Sequence, residues 1–266
     1  MKEIKYPYPF KFINNNKSEY PIVFAHGFNS SINCLDIFAN NWKDNDFYAI
    51  SFPGNQGLKP IENHEISVYQ YAQLLAQFII DNDLKNVILI GHSMGGGTIS
   101  LAYELVKDRI SKMIYLAPMN KTSLPKEEVY FDTYFPRTFN EFITKFIPVL
   151  YYDASIFTND SQWMKENKKN FKVSDHINDM IMKLGESLPD PKLMNDIEMA
   201  MKKITVPSML IMGEKDGVMK RDNCLEYFKK TIKNVETYWI KKTGHMMFDE
   251  DFDTFKMLLK NFINKK

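Results

Sequence analysis

Cysteine, arginine and glycine are all scarce in this chain of 266 residues, and no apolar run is long. Two cysteines, Cys34 and Cys224, give neither a disulfide framework nor a metal-ligating spacing; both are expected to be reduced and buried, as in the cytosol. Arginine occurs only at Arg109, Arg137 and Arg221, so the basic residues are almost all lysine. The formal net charge is +1, which leaves no strong field to recruit nucleic acid or an anionic membrane. No stretch approaches the roughly 20 apolar residues of a bilayer span. The opening residues, Met1 to Pro7, lack the apolar core of a secretory leader. A cytoplasmic protein is expected, with no nucleic acid partner and no stable membrane insertion. What is present is a 44% hydrophobic composition, enough to bury a sizeable core.

Scarcity makes the surviving glycines informative. Gly91-His92-Ser93-Met94-Gly95 follows the apolar run Asn86 to Ile90 and precedes the helix-compatible stretch Thr98 to Val106. With 11 glycines in the chain, Gly-x-Ser-x-Gly arises by chance about once in forty such sequences. Strand, glycine-flanked serine and helix together form the signature of a nucleophile elbow. The turn is so tight that only small residues fit two places before and after the serine. Its hydroxyl is lifted clear, and the following helix aims free N–H groups at any oxyanion formed there.

The rest of the chain alternates. Buried strands are expected at Pro21–Ala25, Phe47–Phe52, Val87–Ile90 and Lys112–Ala117, with a helix opening at Ser67 through the capping-box pattern Ser67-Val68-Tyr69-Gln70. After Met119 the rhythm breaks into an aromatic, lysine-rich stretch that reads as helices. It resumes with strands at Ser208–Met212 and Val235–Ile240 and a closing helix over Phe252–Phe262. This predicts an α/β fold whose mostly parallel central sheet carries helices on both faces. Residues 1–119 and 204–266 are its core. Residues 120–203 are a helical cap laid over the sheet's carboxyl edge, the alternative being ordinary covering helices.

A serine hydroxyl needs a base, and the base needs an orienting acid. Of five histidines, His245 follows a strand and a glycine. Asp216 lies on the loop beyond the strand Ser208–Met212, at the edge where sites of open α/β sheets form. An oxyanion would take one N–H from Met94, directly after the serine. The second is expected from Phe28 in the loop His26-Gly27-Phe28-Asn29, where the Phe28 ring would also line a substrate pocket.

These pieces, together with Ser51-Phe52-Pro53-Gly54-Asn55-Gln56-Gly57 and Gly213-Glu214-Lys215-Asp216, closely resemble the α/β-hydrolase superfamily throughout the chain except the cap. The order Ser93, Asp216, His245 is that family's order. The second motif departs from the usual Asp-x-Pro-Gly-His-Gly: Ser51 stands for the acid, and Asn55-Gln56 stand near the usual histidine. The resemblance implies a serine nucleophile, no metal and no cofactor, and a small-molecule ester as substrate in the manner of esterases and lipases. A proline-iminopeptidase-like activity is the alternative; it would need a cap carboxylate, for which Glu127, Glu128, Glu141 and Glu166 are available. A non-catalytic ligand-binding member of the fold is a further one. The natural substrate and oligomeric state are not encoded in any motif.

Overall fold

The computed structural model describes residues 6–61, 63–123 and 127–265. Seven strands form one sheet: β1 (Phe10–Ile13), β2 (Ile22–Ala25), β3 (Phe47–Ile50), β4 (Val87–His92), β5 (Ile110–Leu116), β6 (Ser208–Gly213) and β7 (Val235–Ile240). Their spatial order is β1-β3-β2-β4-β5-β6-β7. All neighbours are parallel except β1, which pairs antiparallel with β3.

The continuous apolar character of β2, β4 and β6 has a direct cause: every residue in them is buried, because helices cover both faces. Neighbouring side chains of β3 mark the two layers. Phe47 points to Phe38 of the helix Asp36–Asn41, which in turn meets Phe255 of the closing helix Phe252–Ile263. Tyr48 points the other way, to Phe78 of the helix Val68–Asp81. That helix packs on the helix Met94–Val106, which follows β4.

Several elements were not legible in the pattern, among them β1, the short helices Asp36–Asn41 and Met247–Glu250, and the helix Arg221–Thr231. β1 is four residues long and half exposed, so it lacks an apolar run. The helix Arg221–Thr231 buries only Cys224, Phe228 and Thr231 and is otherwise polar. The start of the helix at Val68 differs in detail from a full capping box. Ser67 Oγ accepts the Gln70 N–H at 3.2 Å, but the Gln70 side chain reaches back to the N–H of Glu65 instead of Ser67.

Residues 120–203 contribute no strand among the described residues. Their helices take different positions. Pro191–Met201 buries Leu193, Met194, Ile197, Ala200 and Met201 and packs on the helix Met94–Val106. The tract Glu127–Tyr134 and the helical turns from Phe139 to Leu150 supply Tyr130, Tyr134, Phe146 and Leu150 to a cavity at the carboxyl edge of the sheet, which Met194 of Pro191–Met201 also lines. No described helix is long and apolar enough to cross a membrane.

The topology decides where a site can form. From β2 the chain crosses to β3 on one side, and from β4 it crosses to β5 on the other. The loops leaving β2 and β4 therefore diverge and open a crevice between two adjacent strand ends. The register sets Ala25 beside Gly91, so the loop after Ala25 and the turn after His92 flank that crevice.

Packing and capping terms can be measured separately. Phe255→Ala, in a fully buried ring cluster, is expected to cost about 3–5 kcal/mol of unfolding free energy. Ser67→Ala should cost about 1 kcal/mol. Urea titrations of both variants check the ranking; a Ser67→Ala loss as large as that of Phe255→Ala would contradict it.

Candidate active site

Ser93 has φ +53° and ψ −120°, a left-handed φ that a non-glycine residue rarely adopts and that costs on the order of 1–3 kcal/mol. Three backbone hydrogen bonds hold it there. Its N–H donates to Leu116 O at 3.0 Å, and its carbonyl accepts from Gly96 N at 2.9 Å and Met119 N at 2.8 Å. The flanking glycines are steric necessities. A Cβ on Gly95 would fall 2.0 Å from Ala25 O, and one on Gly91 would fall 2.5 Å from Gly95 O. The end of β2 thus excludes a side chain at position 95, and the tightness of the turn itself excludes one at position 91.

The loop after β2 lies against this turn: a Cβ on Gly27 would come within 3.1 Å of Ser93 Cβ. Neither the Phe28 N–H nor the Met94 N–H has a protein acceptor among the described residues. The loop is anchored from the second motif. Asn55 is buried; its Oδ1 accepts the Asn29 N–H at 2.8 Å and its Nδ2 donates to Phe52 O at 3.3 Å. Gln56 Nε2 donates to Asn29 O at 2.6 Å. Asn55 and Gln56, noted in the sequence as a departure, thereby fix the loop that carries Phe28. His26 is buried and donates Nδ1–H to Gly27 O at 2.8 Å; burial pulls its pKa down to about 4 and keeps it neutral.

Across the crevice, His245 Nδ1 lies 2.9 Å from Asp216 Oδ2, and the Asp216 side chain has no exposed surface. The other Asp216 oxygen accepts the N–H groups of Val218 and Met219 at 2.8 and 2.9 Å. These bonds orient the carboxylate, which in turn makes Nδ1 the protonated nitrogen of His245 and leaves Nε2 as an acceptor. Ser93, Met94, Phe28 and His245 all line one cavity of about 260 Å³. The structure therefore gathers all five sequence-derived candidates, with Asp216 placed behind His245.

His92, inside the pentapeptide, has a partner that no motif announced. It is buried, and its Nε2 donates to the backbone carbonyl of His245 at 3.2 Å. Burial and the neighbouring His245 hold its pKa well below the usual imidazole range. His64, bonded to the Tyr8 hydroxyl at 2.8 Å, and His176, stacked on Phe171, do not line the cavity.

The remaining cavity wall is mostly apolar, with Met119, Tyr130, Phe146, Leu150, Leu188 and Met219 typical of it and Asn29, Ser30 and Ser123 its uncharged polar members. Among the described residues no Asp, Glu, Lys or Arg lines it. Glu166 is exposed, Glu141 accepts the Arg137 N–H, and the side chains of Glu127 and Glu128 lie outside the described residues. No group of three or more metal-ligating side chains converges among the described residues.

Comparison with known proteins agrees with this architecture. Residues 20–252 match the family model described as alpha/beta hydrolase fold. A Mycoplasma genitalium protein provisionally named esterase/lipase 3 is 29% identical over 249 residues, covering 91% of this chain and 86% of its own. Its namesake in Mycoplasma pneumoniae is 30% identical, covering 88% and 83%. Among solved structures, an esterase from Exiguobacterium antarcticum superposes with a TM-score of 0.76 at 18% identity, covering 96% of this chain and 95% of that one.

Buried neutral His26 gives a pH prediction. Between its unfolded value of 6.5 and its folded value of about 4, the unfolded chain binds a proton that the folded one refuses. Stability from this group is therefore present above 6.5 and falls as pH drops toward 4. The unfolding free energy of wild type minus that of His26→Asn should rise by about 3 kcal/mol from pH 4 to 6.5. Denaturant titrations across that range check it; a constant difference would mean His26 titrates alike in both states.

Proposed function

The chain belongs to the α/β-hydrolase family, and within it we propose a hydrolase of carboxylic esters that works through an acyl-enzyme on Ser93. The observation that carries this reading is the 2.9 Å contact between His245 Nδ1 and Asp216 Oδ2, beside a strained serine in the same apolar cavity. In the first half-reaction Ser93 Oγ attacks the ester carbonyl while His245 Nε2 takes its proton. The Phe28 and Met94 N–H groups hold the oxyanion, where preorganised donors are worth most. His245 then passes the proton to the departing alcohol. In the second half His245 draws a proton from water, which attacks the acyl carbon; the bond to Ser93 Oγ breaks, His245 returns the proton to that oxygen, and the acid is freed. Asp216 holds the imidazole tautomer and stabilises the imidazolium.

The cavity chemistry supports a neutral ester with an apolar, medium-length acyl group: no ionised side chain among the described residues waits to bind a charged end. The same observation weighs against the iminopeptidase alternative, whose free-amine substrate needs a carboxylate. Within residues 120–203, the helix Glu127–Tyr134 and the turns up to Leu150 act in this reading as a cap over the substrate, while Pro191–Met201 covers the core. The free thiols Cys34 and Cys224 suit a reducing compartment such as the cytosol.

A chain-length series of p-nitrophenyl esters and a proline p-nitroanilide, given to wild type, Ser93→Ala and Asp216→Asn, tests the proposal. Wild type should turn over esters, with an optimum at medium chain length. Ser93→Ala should lose roughly three or more orders of magnitude in kcat, and Asp216→Asn should fall steeply as well. Turnover of the proline substrate alone would transfer the reading to an aminopeptidase. No turnover at any chain length would reject the preference.

A further inference from the structure

The loops bearing Asp216 and His245 share a neighbour. Residues Val149–Tyr152, where the helical turns of the middle segment end, lie across both. Gly217 N–H donates to Val149 O at 3.1 Å, and Met246 N–H donates to Leu150 O at 3.2 Å. Contact is close enough to explain two glycines. A Cβ on Gly217 would fall 2.6 Å from Val149 Cα, and one on Gly244 would fall 2.8 Å from both Leu150 O and Tyr152 N. Val149–Tyr152 is thus a strap pressed against the residue after Asp216 and the residue before His245.

Glu250 closes this arrangement. It sits in the short helix Met247–Glu250 just beyond His245. Its Oε2 accepts the Gly244 N–H at 2.6 Å, and its Oε1 accepts the Tyr152 N–H at 2.8 Å. One carboxylate therefore bridges the His245 loop and the strap, with an oxygen committed to each. Among the described residues it has no salt-bridge partner. Burial pushes its pKa up, and the Asp216 charge pushes it further in the same direction. A half-buried carboxylate without a cation is costly. The two short backbone bonds, strengthened by its charge, are what offset that cost.

We propose that Glu250 is a positioning residue for catalysis: it pins the Gly244–His245 loop to the Val149–Tyr152 strap and so fixes the imidazole between Asp216 and Ser93. Leu150 and Met246 both line the cavity, so the strap that steadies the base is also part of the substrate's wall. Seating of the strap and alignment of His245 are one event. This proposal rests on the reading of Ser93 and His245 as nucleophile and base.

The test compares full-length wild type, Glu250→Gln, Glu250→Asp and, as a control, Glu236→Gln on the remote Lys265 pair. Glutamine keeps the shape but turns an amide N–H₂ toward one of the two donors; aspartate is too short to reach both. Four readouts are taken below the unfolding transition: fluorophosphonate labelling rate at Ser93, kcat and KM on a p-nitrophenyl ester, and the downfield proton resonance of His245 Nδ1–H. Glu250→Gln is expected to slow labelling and kcat by about 10–100-fold, as a small misplacement of a reacting group does. KM should stay within about twofold, and the Nδ1–H resonance should shift or broaden. Glu250→Asp should fall between, and it decides the matter if Glu250→Gln does not fold. Wild-type labelling and an unchanged Nδ1–H resonance in the folded variants would overturn the role of Glu250. Absence of labelling in wild type itself would overturn the Ser93 reading, and this one with it.

Discussion

The crowded turn at Ser93 is the constraint from which the rest of the structure follows. β4 ends and its helix begins within one residue, against the end of β2, in a space where an extra methyl on Gly95 would collide with Ala25 O. That space exists because the chain crosses in opposite directions after β2 and β4. The strain of a left-handed serine is held by bonds to Leu116 and Met119, at the end of β5 and just beyond it, so three strand ends share the load. A serine on an ordinary helix would have its hydroxyl in the company of its own backbone. Here it stands in a cavity with two uncommitted N–H groups close by.

The opposite wall is built on different principles. Asp216 and His245 sit on loops after β6 and β7, and the second of these loops also turns through a left-handed residue, Lys242 at φ +54°. Their alignment comes from hydrogen bonds among loops: Lys215 N–H to Thr243 O at 3.0 Å, His92 Nε2 to His245 O at 3.2 Å, and the Glu250 carboxylate to Gly244 and Tyr152. The Ser93 side is held by a strained turn and close packing, the Asp216–His245 side by a polar network. Such networks hold one arrangement well when every member is satisfied. The strap brings the Asp216–His245 side into contact with the middle segment.

How much of this was readable depended on what each residue touches. The fully buried strands announced themselves as apolar runs, and Gly91 and Gly95 as scarce residues in a spaced pattern. The half-exposed β1 and the polar helix Arg221–Thr231 did not, because neither has a periodic apolar face strong enough to separate it from loop. At the site, local context and chain order singled out Ser93, Asp216 and His245, which the fold brings to the two walls of one crevice. Asn55, His92 and Glu250 were not legible in this way. They act on backbone groups of residues far away in the chain: His92 on His245, 153 positions on, and Glu250 on Tyr152, 98 positions back. A backbone acceptor or donor carries no side-chain signature, so a single sequence has nothing to pair them with.

The most direct measurement is rapid-quench mass spectrometry of the protein mixed with a p-nitrophenyl ester under single-turnover conditions. An added mass equal to the acyl group is expected on the peptide containing Ser93, rising with p-nitrophenol release and decaying with hydrolysis. Ester turnover with no acyl group on Ser93, or with the acyl group on another residue, would contradict the role given to Ser93.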